Sequence, residues 1–190
     1  WSLNSQQNPI TPWPNDPVSD SPHEVLYLRD EDNAALWSAT ALPIRVTNAK
    51  YSTTHGKGWT RFSNDAHGIE LELTLCVPTA DPLKLSRLRL CNRSARTRHL
   101  SITGYVEWAL GANGTTPAPF GITPRDEKTG ALFARNQWRS DFAQHVAFVD
   151  LAGQHHAVCG ARSAVRGQLG ALDHPHQLQA HTALSGRDGP

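Results

Sequence analysis

The chain has 190 residues, enough to bury a sizeable core, and its 18 basic and 17 acidic side chains leave a formal net charge of +1 with no run of like charge. That balance excludes nucleic acid or an anionic membrane surface as the main partner. No apolar stretch approaches the roughly 20 residues a membrane helix needs, and the N-terminus lacks the basic-then-apolar order of a signal peptide.

Residues 1–22 hold Pro9, Pro12, Pro14, Pro17 and Pro22, with Trp1 and Trp13 among them. Proline at this density excludes helix and central strand, so the segment is expected to be extended and irregular. Two large aromatics argue that it packs on something rather than serving as a linker. Glu24–Asp30 reads as a strand, and the polar turn Glu31-Asp32-Asn33 leads to a hairpin partner at Leu36-Trp37-Ser38. Tyr51–His55 and Trp59–Phe62 read as a second hairpin around Gly56-Lys57-Gly58, with the glycines supplying positive φ.

From Ile69 to Val77 every odd position is apolar, which predicts a strand with one buried face. Pro78-Thr79-Ala80-Asp81-Pro82 ends that run. The next one slips phase, from Leu83 and Leu85 to Leu88 and Leu90, and a β-bulge near Ser86-Arg87 is expected to keep both halves on the core. After the turn Asn92–Arg98, a third run is expected to face Leu100, Ile102, Val106 and Trp108 inward, with Ser101, Thr103, Tyr105 and Glu107 outward. Together the three runs predict an antiparallel meander needing a second layer. Residues 111–125 are an irregular crossing. Leu132–Trp138, Val146–Leu151 and Ala157–Ala161 are further strands, and Gln177–Leu184 is a short helix or a loop. The expected fold is therefore all-β: an extended segment over 1–22 and one antiparallel two-sheet sandwich over 23–190. The chain starts at Trp1, contains no Met and stops just after an apolar run, so it is expected to be a piece of a longer protein.

Three cysteines (Cys76, Cys91, Cys159) form no CxxC pair and no disulfide framework, which points to a reducing, cytoplasmic compartment. His155-His156 and Asp173-His174-Pro175-His176 raise a zinc site, but local spacing supplies at most two of the ligands; no metal and no cofactor is expected. Gly56-Lys57-Gly58 lacks the third glycine and the helix of a phosphate loop. The triplets Asn92-Arg93-Ser94 and Asn113-Gly114-Thr115 are taken as chance, and no Gly-x-Ser-x-Gly elbow occurs. The strongest constellation is Thr11–Asp20 leading to Tyr27–Asp30. A proline-fixed loop carrying Trp13, Asn15, Asp16 and Asp20, leading to Arg29 and Asp30, has the chemistry of sugar recognition: an aromatic platform with amide and carboxylate groups for hydroxyls. On residues alone, Trp13 as a core plug with the Asp residues capping turns is an equal reading.

The series Thr11-Pro12-Trp13, Asn15-Asp16-Pro17-Val18, Tyr27-Leu28-Arg29-Asp30-Glu31, Trp37-Ser38-Ala39-Thr40, His55-Gly56-x-Gly58, Gly68-Ile69-Glu70-Leu71-Glu72-Leu73 and Tyr105-Val106-Glu107-Trp108-x-Leu110-Gly111 resembles the N-terminal β-sandwich of the inverting phosphorylases of glycoside hydrolase family 94, formerly glycosyltransferase family 36. The resemblance covers most of residues 1–162 and is closest to the phosphorylase-like region of cyclic β-1,2-glucan synthases. Beyond it, Arg166-Gly167-Gln168-Leu169-Gly170 departs from the Gly-Arg-Asn-Gly of the family. The resemblance implies a supersandwich of the galactose mutarotase-like type, cut short at its C-terminal end, which packs on an (α/α)₆ barrel C-terminal to it. It implies that the barrel, absent here, holds the general-acid Asp, that phosphate is the co-substrate, and that the substrate is a β-linked glucan or glucoside. It implies that the sandwich itself is non-catalytic, forms homodimers and lends loops such as Trp13–Asp20 to the sugar-binding cleft. The parent enzyme would be held at the inner membrane through other domains. The alternatives are a free-standing carbohydrate-binding module using Trp13, Trp59 or Trp138, and a mutarotase-like epimerase using His67, His145 and Glu107.

Overall fold

A computed structural model describes residues 4–13, 16, 18, 21–111, 121–122, 124–137, 142–151, 172 and 175. Two compact units are present, Val25–Tyr105 and, separately, Ser2–Glu24 with Val106–Pro190. Among the described residues there are ten strands and no helix.

The first unit is a sandwich. Its larger sheet has the order β3-β4-β5-β6, from β3 (Lys50–Gly56), β4 (Trp59–Ala66), β5 (Ile69–Cys76) and β6 (Leu85–Asn92). The smaller sheet has the order β2-β1-β7, from β1 (Glu24–Asp30), β2 (Leu36–Ser38) and β7 (Leu100–Val106). Both predicted hairpins form. Gly58 occupies the left-handed region at φ 75° as the Lys57-Gly58 turn requires. Gly56 has a different role from the one expected: the Trp59 indole lies against it, and a Cβ there would sit 2.2 Å from the ring. A second two-residue turn, His67-Gly68, joins β4 to β5 with both φ values positive, 54° and 76°.

Between the sheets lies a core of Leu28, Trp37, Ala39, Ala66, Ile69, Leu71 and Leu73, flanked by Phe62, Leu75, Leu88, Leu90 and Leu100. The alternation read from β5 is therefore its packing: Ile69, Leu71 and Leu73 are buried, each worth about 2–3 kcal/mol in transfer terms. Asn64, also buried in this layer, donates from Nδ2 to the Ala39 carbonyl at 2.9 Å and fixes the chain leaving β2.

Three expectations are corrected. No bulge interrupts β6, since its register with β5 runs unbroken from Cys76↔Leu85 to Ile69↔Asn92. The slip in phase is instead a change of face, and Leu85 is left 51% exposed. The third run does not continue the meander. β7 crosses to the other sheet beside β1, antiparallel, with Glu31 N bonded to His99 O and Glu107 N to His23 O at the two ends of the pairing. The inside–outside assignment of that run fails as well: Tyr105 and Glu107 are buried and Ile102 is 43% exposed. The cause is that the face opposite the core is buried too, as Val25, Tyr27 and Arg29 of β1 show.

The second unit contains the sheet β10-β9-β8, built from β8 (Gly121–Ile122), β9 (Leu132–Asn136) and β10 (Ala147–Val149). β8 lies inside the stretch read as an irregular crossing. The segment after β7 is stitched to the N-terminal stretch by Ala109 N to Ile10 O at 2.9 Å and Gly111 N to Pro9 O at 3.1 Å. Leu110, at φ 47°, presents its carbonyl to Asn136 Nδ2 at 3.1 Å. Near the N-terminus the chain coils rather than extends: Asn4 Oδ1 accepts from the amides of Gln6 and Gln7. The strand predicted at Ala157–Ala161 and the segment Gln177–Leu184 lie outside the described residues.

Candidate functional site

Each proposed sugar-binding residue has its own setting. Trp13 is 78% exposed, so its indole does not plug a core. Asp16 is exposed as well, and its Oδ1 accepts from the Val18 amide at 2.9 Å, a local side-chain-to-backbone bond. Asn15 and Asp20 lie outside the described residues. Arg29 and Asp30 belong to the other unit and stand at the end of β1, where consecutive residues point to opposite faces.

Asp30 is the centre of an ion cluster. Its side chain is 0% exposed, and Oδ2 accepts from Arg98 through both Nε, at 3.0 Å, and Nη2. Arg96 Nη2 adds a contact at 3.2 Å, and Oδ1 accepts from the Asp32 amide at 3.0 Å. Burial alone would raise the Asp30 carboxyl, but the Asp32 amide, Arg98 and Arg96 outweigh it and hold the group below the usual carboxylate range. Arg98 also donates from Nη1 to the His67 carbonyl at 2.7 Å. One guanidinium thus joins the end of β1, the β4–β5 turn and the β6–β7 loop. Asp32, which accepts from His99 at 2.9 Å and Arg96 at 2.8 Å, is lowered too, chiefly by the His99 bond. Arg29 donates from Nη1 to Glu31 Oε2 at 2.9 Å, and Glu31 Oε1 accepts from Ser101.

The arginines of this cluster went unread because their partners lie more than sixty residues away in sequence. The signal that could have found them is complementarity between two turns, acidic Asp30-Glu31-Asp32 and basic Arg93–Arg98. His23 was also overlooked. It sits at 3.3 Å from Glu107, through Nδ1 and Oε2, with side chains 17% and 8% exposed.

The groups nominated for epimerase chemistry have separate surroundings. The His67 ring lies against Trp37, with centroids 5.1 Å apart. His145 lies against Phe142 at 5.6 Å, and Glu107 pairs with His23. Trp59, nominated as a platform, has the Arg61 guanidinium over its ring at 5.3 Å, and Arg61 Nε is 3.5 Å from Glu72 Oε1. Among the described residues no group of three His, Cys, Asp or Glu side chains converges as metal ligands. Trp138, His155, His156, Asp173, His174 and His176 fall outside them.

The motif residues read from the sequence are largely framework. Trp37 and Ala39 are core, Ser38 Oγ donates to the Thr40 and Ile44 carbonyls at 2.8 and 2.9 Å, and Thr40 Oγ1 donates to the Leu42 carbonyl at 2.7 Å. That knot fixes the loop from β2 toward β3.

Residues 1–190 match the family described as "Glycosyl hydrolase 94, supersandwich domain". The chain is 33% identical over 186 residues to the cyclic beta-(1,2)-glucan synthase NdvB of Rhizobium meliloti (strain 1021), covering 98% of this chain and 7% of that protein. It is 30% identical over 179 residues to the cellobionic acid phosphorylase of Neurospora crassa, covering 88% of this chain and 21% of the enzyme. Against the N,N'-diacetylchitobiose phosphorylase of Vibrio furnissii the identity is 29% over 107 residues, 55% of this chain and 13% of the other. The chain thus spans only a small part of the length of these relatives.

Proposed function

The chain belongs to the supersandwich family of glycosyl hydrolase 94, and we propose that it is the non-catalytic, carbohydrate-associated sandwich of a β-glucan phosphorylase or cyclic β-1,2-glucan synthase. In this reading it packs on a helical catalytic barrel and helps shape the cleft that takes a β-linked glucan. Phosphate is the co-substrate of the enzyme it serves, and the barrel carries the acid. The carrying observation is the family match along all 190 residues. It is supported by the Asp30 cluster, whose carboxylates are engaged by arginines rather than poised across a cleft as a hydrolytic pair must be. Among the described residues, the group best suited to reach a sugar is that of Trp13 and Asp16, an exposed indole and an exposed carboxylate three positions apart in sequence.

The test is phosphorolysis by a protein consisting of these 190 residues. Incubated with sophorose or β-1,2-glucan and phosphate, it is expected to release no glucose 1-phosphate; release by the pure chain overturns the reading. The exposure of Trp13 also favours a second reading, a free-standing carbohydrate-binding module. Calorimetry with β-1,2-glucan separates the two: micromolar binding that Trp13→Ala abolishes supports the module, and no heat of binding rejects it.

A further inference from the structure

An edge strand presents a row of backbone N–H and C=O groups that an added strand can pair with. β6 is such an edge: among the described residues β5 is its only neighbour, paired from Cys76↔Leu85 to Ile69↔Asn92. Its eight residues give the open side a length of about 26 Å. The two faces of this strand differ in chemistry. Arg87 and Arg89 are exposed on the face away from the core, while Leu88 and Leu90 pack against the core and are only half-buried.

The basic row is unanswered from within the sheet. Glu72 stands opposite Arg89 in the register, but its Oε1 is 3.5 Å from Arg61 Nε, and Thr74 stands opposite Arg87. Among the described residues no ion pair engages Arg87 or Arg89. Arg61, Thr74 and Arg87 share one cross-strand row, so three guanidinium groups gather on this part of the outward face. Charge on an edge keeps strands away, but charge of a single sign turns away only its like. The leucines are uncovered toward the same side. Leu71 and Leu73 of β5 have a strand on either flank and are buried, whereas Leu88 and Leu90 have one on a single flank.

β5 shows what a strand beside β6 is made of. Its Leu71-Glu72-Leu73 sets leucines opposite Leu90 and Leu88 and a carboxylate opposite Arg89. We infer that the open side of β6 takes an extended segment of a partner polypeptide in which apolar and acidic residues alternate. Lying antiparallel, the segment reads apolar-acidic-apolar-acidic opposite Leu90, Arg89, Leu88 and Arg87. Its backbone extends the ladder, its carboxylates meet the two arginines on the outward face, and its apolar side chains cover the two leucines. β3, at the other edge, does not offer this combination: Ser52–Gly56 are polar or lack a side chain, and all are exposed. The inference does not rest on the carbohydrate reading.

The probe is a fluorescein-labelled synthetic peptide, Gly-Thr-Leu-Glu-Leu-Glu-Leu-Thr-Gly, titrated with the wild-type chain and read by fluorescence anisotropy. It is expected to bind at micromolar concentration. A peptide with lysine for both glutamates is expected to bind roughly tenfold or more weakly, and so is one of the same composition with its leucines and glutamates in separate blocks. These comparisons use the wild-type chain alone and do not depend on how a variant folds. Arg87→Glu combined with Arg89→Glu changes two exposed positions; it is expected to leave melting unchanged and to reverse the preference, so that the lysine peptide binds better than the glutamate one. A glutamate peptide that fails to bind, a block-ordered peptide that binds equally well, or a double variant that keeps the original preference each overturns the assignment.

Discussion

Replacing Arg98 by methionine isolates what the buried ion cluster contributes. The substitution keeps an unbranched stem and removes the charge, at a side chain only 4% exposed beside a carboxylate that is 0% exposed. Asp30 would retain the Asp32 amide and Arg96 Nη2 at 3.2 Å, but Arg96 is half exposed and its pairing is screened by solvent. The His67 carbonyl would lose its donor at 2.7 Å. Removing one partner of a buried pair costs about 3–5 kcal/mol, and the surviving Arg96 puts R98M near the lower end, about 3 kcal/mol. For a chain of this size that is about 6–12 °C in Tm. Urea unfolding at several pH values is the assay. Because the folded Asp30 carboxyl is depressed, its contribution is fully present above the unfolded value of about 3.9 and is lost as pH falls through the folded value. The gap between wild type and R98M is therefore expected to narrow below about pH 4. A cost under about 1 kcal/mol, or a gap that holds constant into acid, would refute the claim that this cluster fastens the three connections.

Leu71, fully buried in β5, and Leu85, half exposed on β6, should respond oppositely to truncation. Leu71→Ala is expected to cost about 2–5 kcal/mol in guanidinium melts, and Leu85→Ala about 0.5 kcal/mol or less; a large loss at Leu85 would restore the bulge. Gly58→Ala forces a side chain into φ 75° and is expected to lower stability by about 1–2 kcal/mol. Gly56→Ala meets the movable end of the Trp59 side chain rather than backbone, so its expected mark is displacement of the indole, read as a shift in tryptophan emission, with little change in Tm.

The strands were legible where one face is dry and the other wet. β5 announces itself by alternation, and the turns at Glu31–Asn33 and Lys57-Gly58 are written in residues that favour them. The choice of sheet for β7 was not legible, because the strand it pairs with, β1, lies some seventy residues upstream and nothing local names it. Its facing was misread for a related reason: polarity patterns report a single buried face, while Tyr105 and Glu107 are buried away from the core that takes Leu100. At the site, Trp13 and Asp16 are exposed, while the sequestration of Asp30 was signalled only by the match of its acidic turn to the basic turn Arg93–Arg98, which taken alone reads as an ordinary polar turn.

The seven residues of β1 stand apart in this molecule. The strand is flanked on either side by β2 and β7, Leu28 is shut away in one direction, and Val25, Tyr27 and Arg29 in the other. Five of its seven residues are buried and the other two half-buried, so most changes of side chain there are felt, whereas the outward rows of β3 through β6 tolerate many. The burial of Glu24–Asp30 therefore predicts less variation among related chains along this strand than across the outward rows of the larger sheet, an expectation that an alignment of relatives would check.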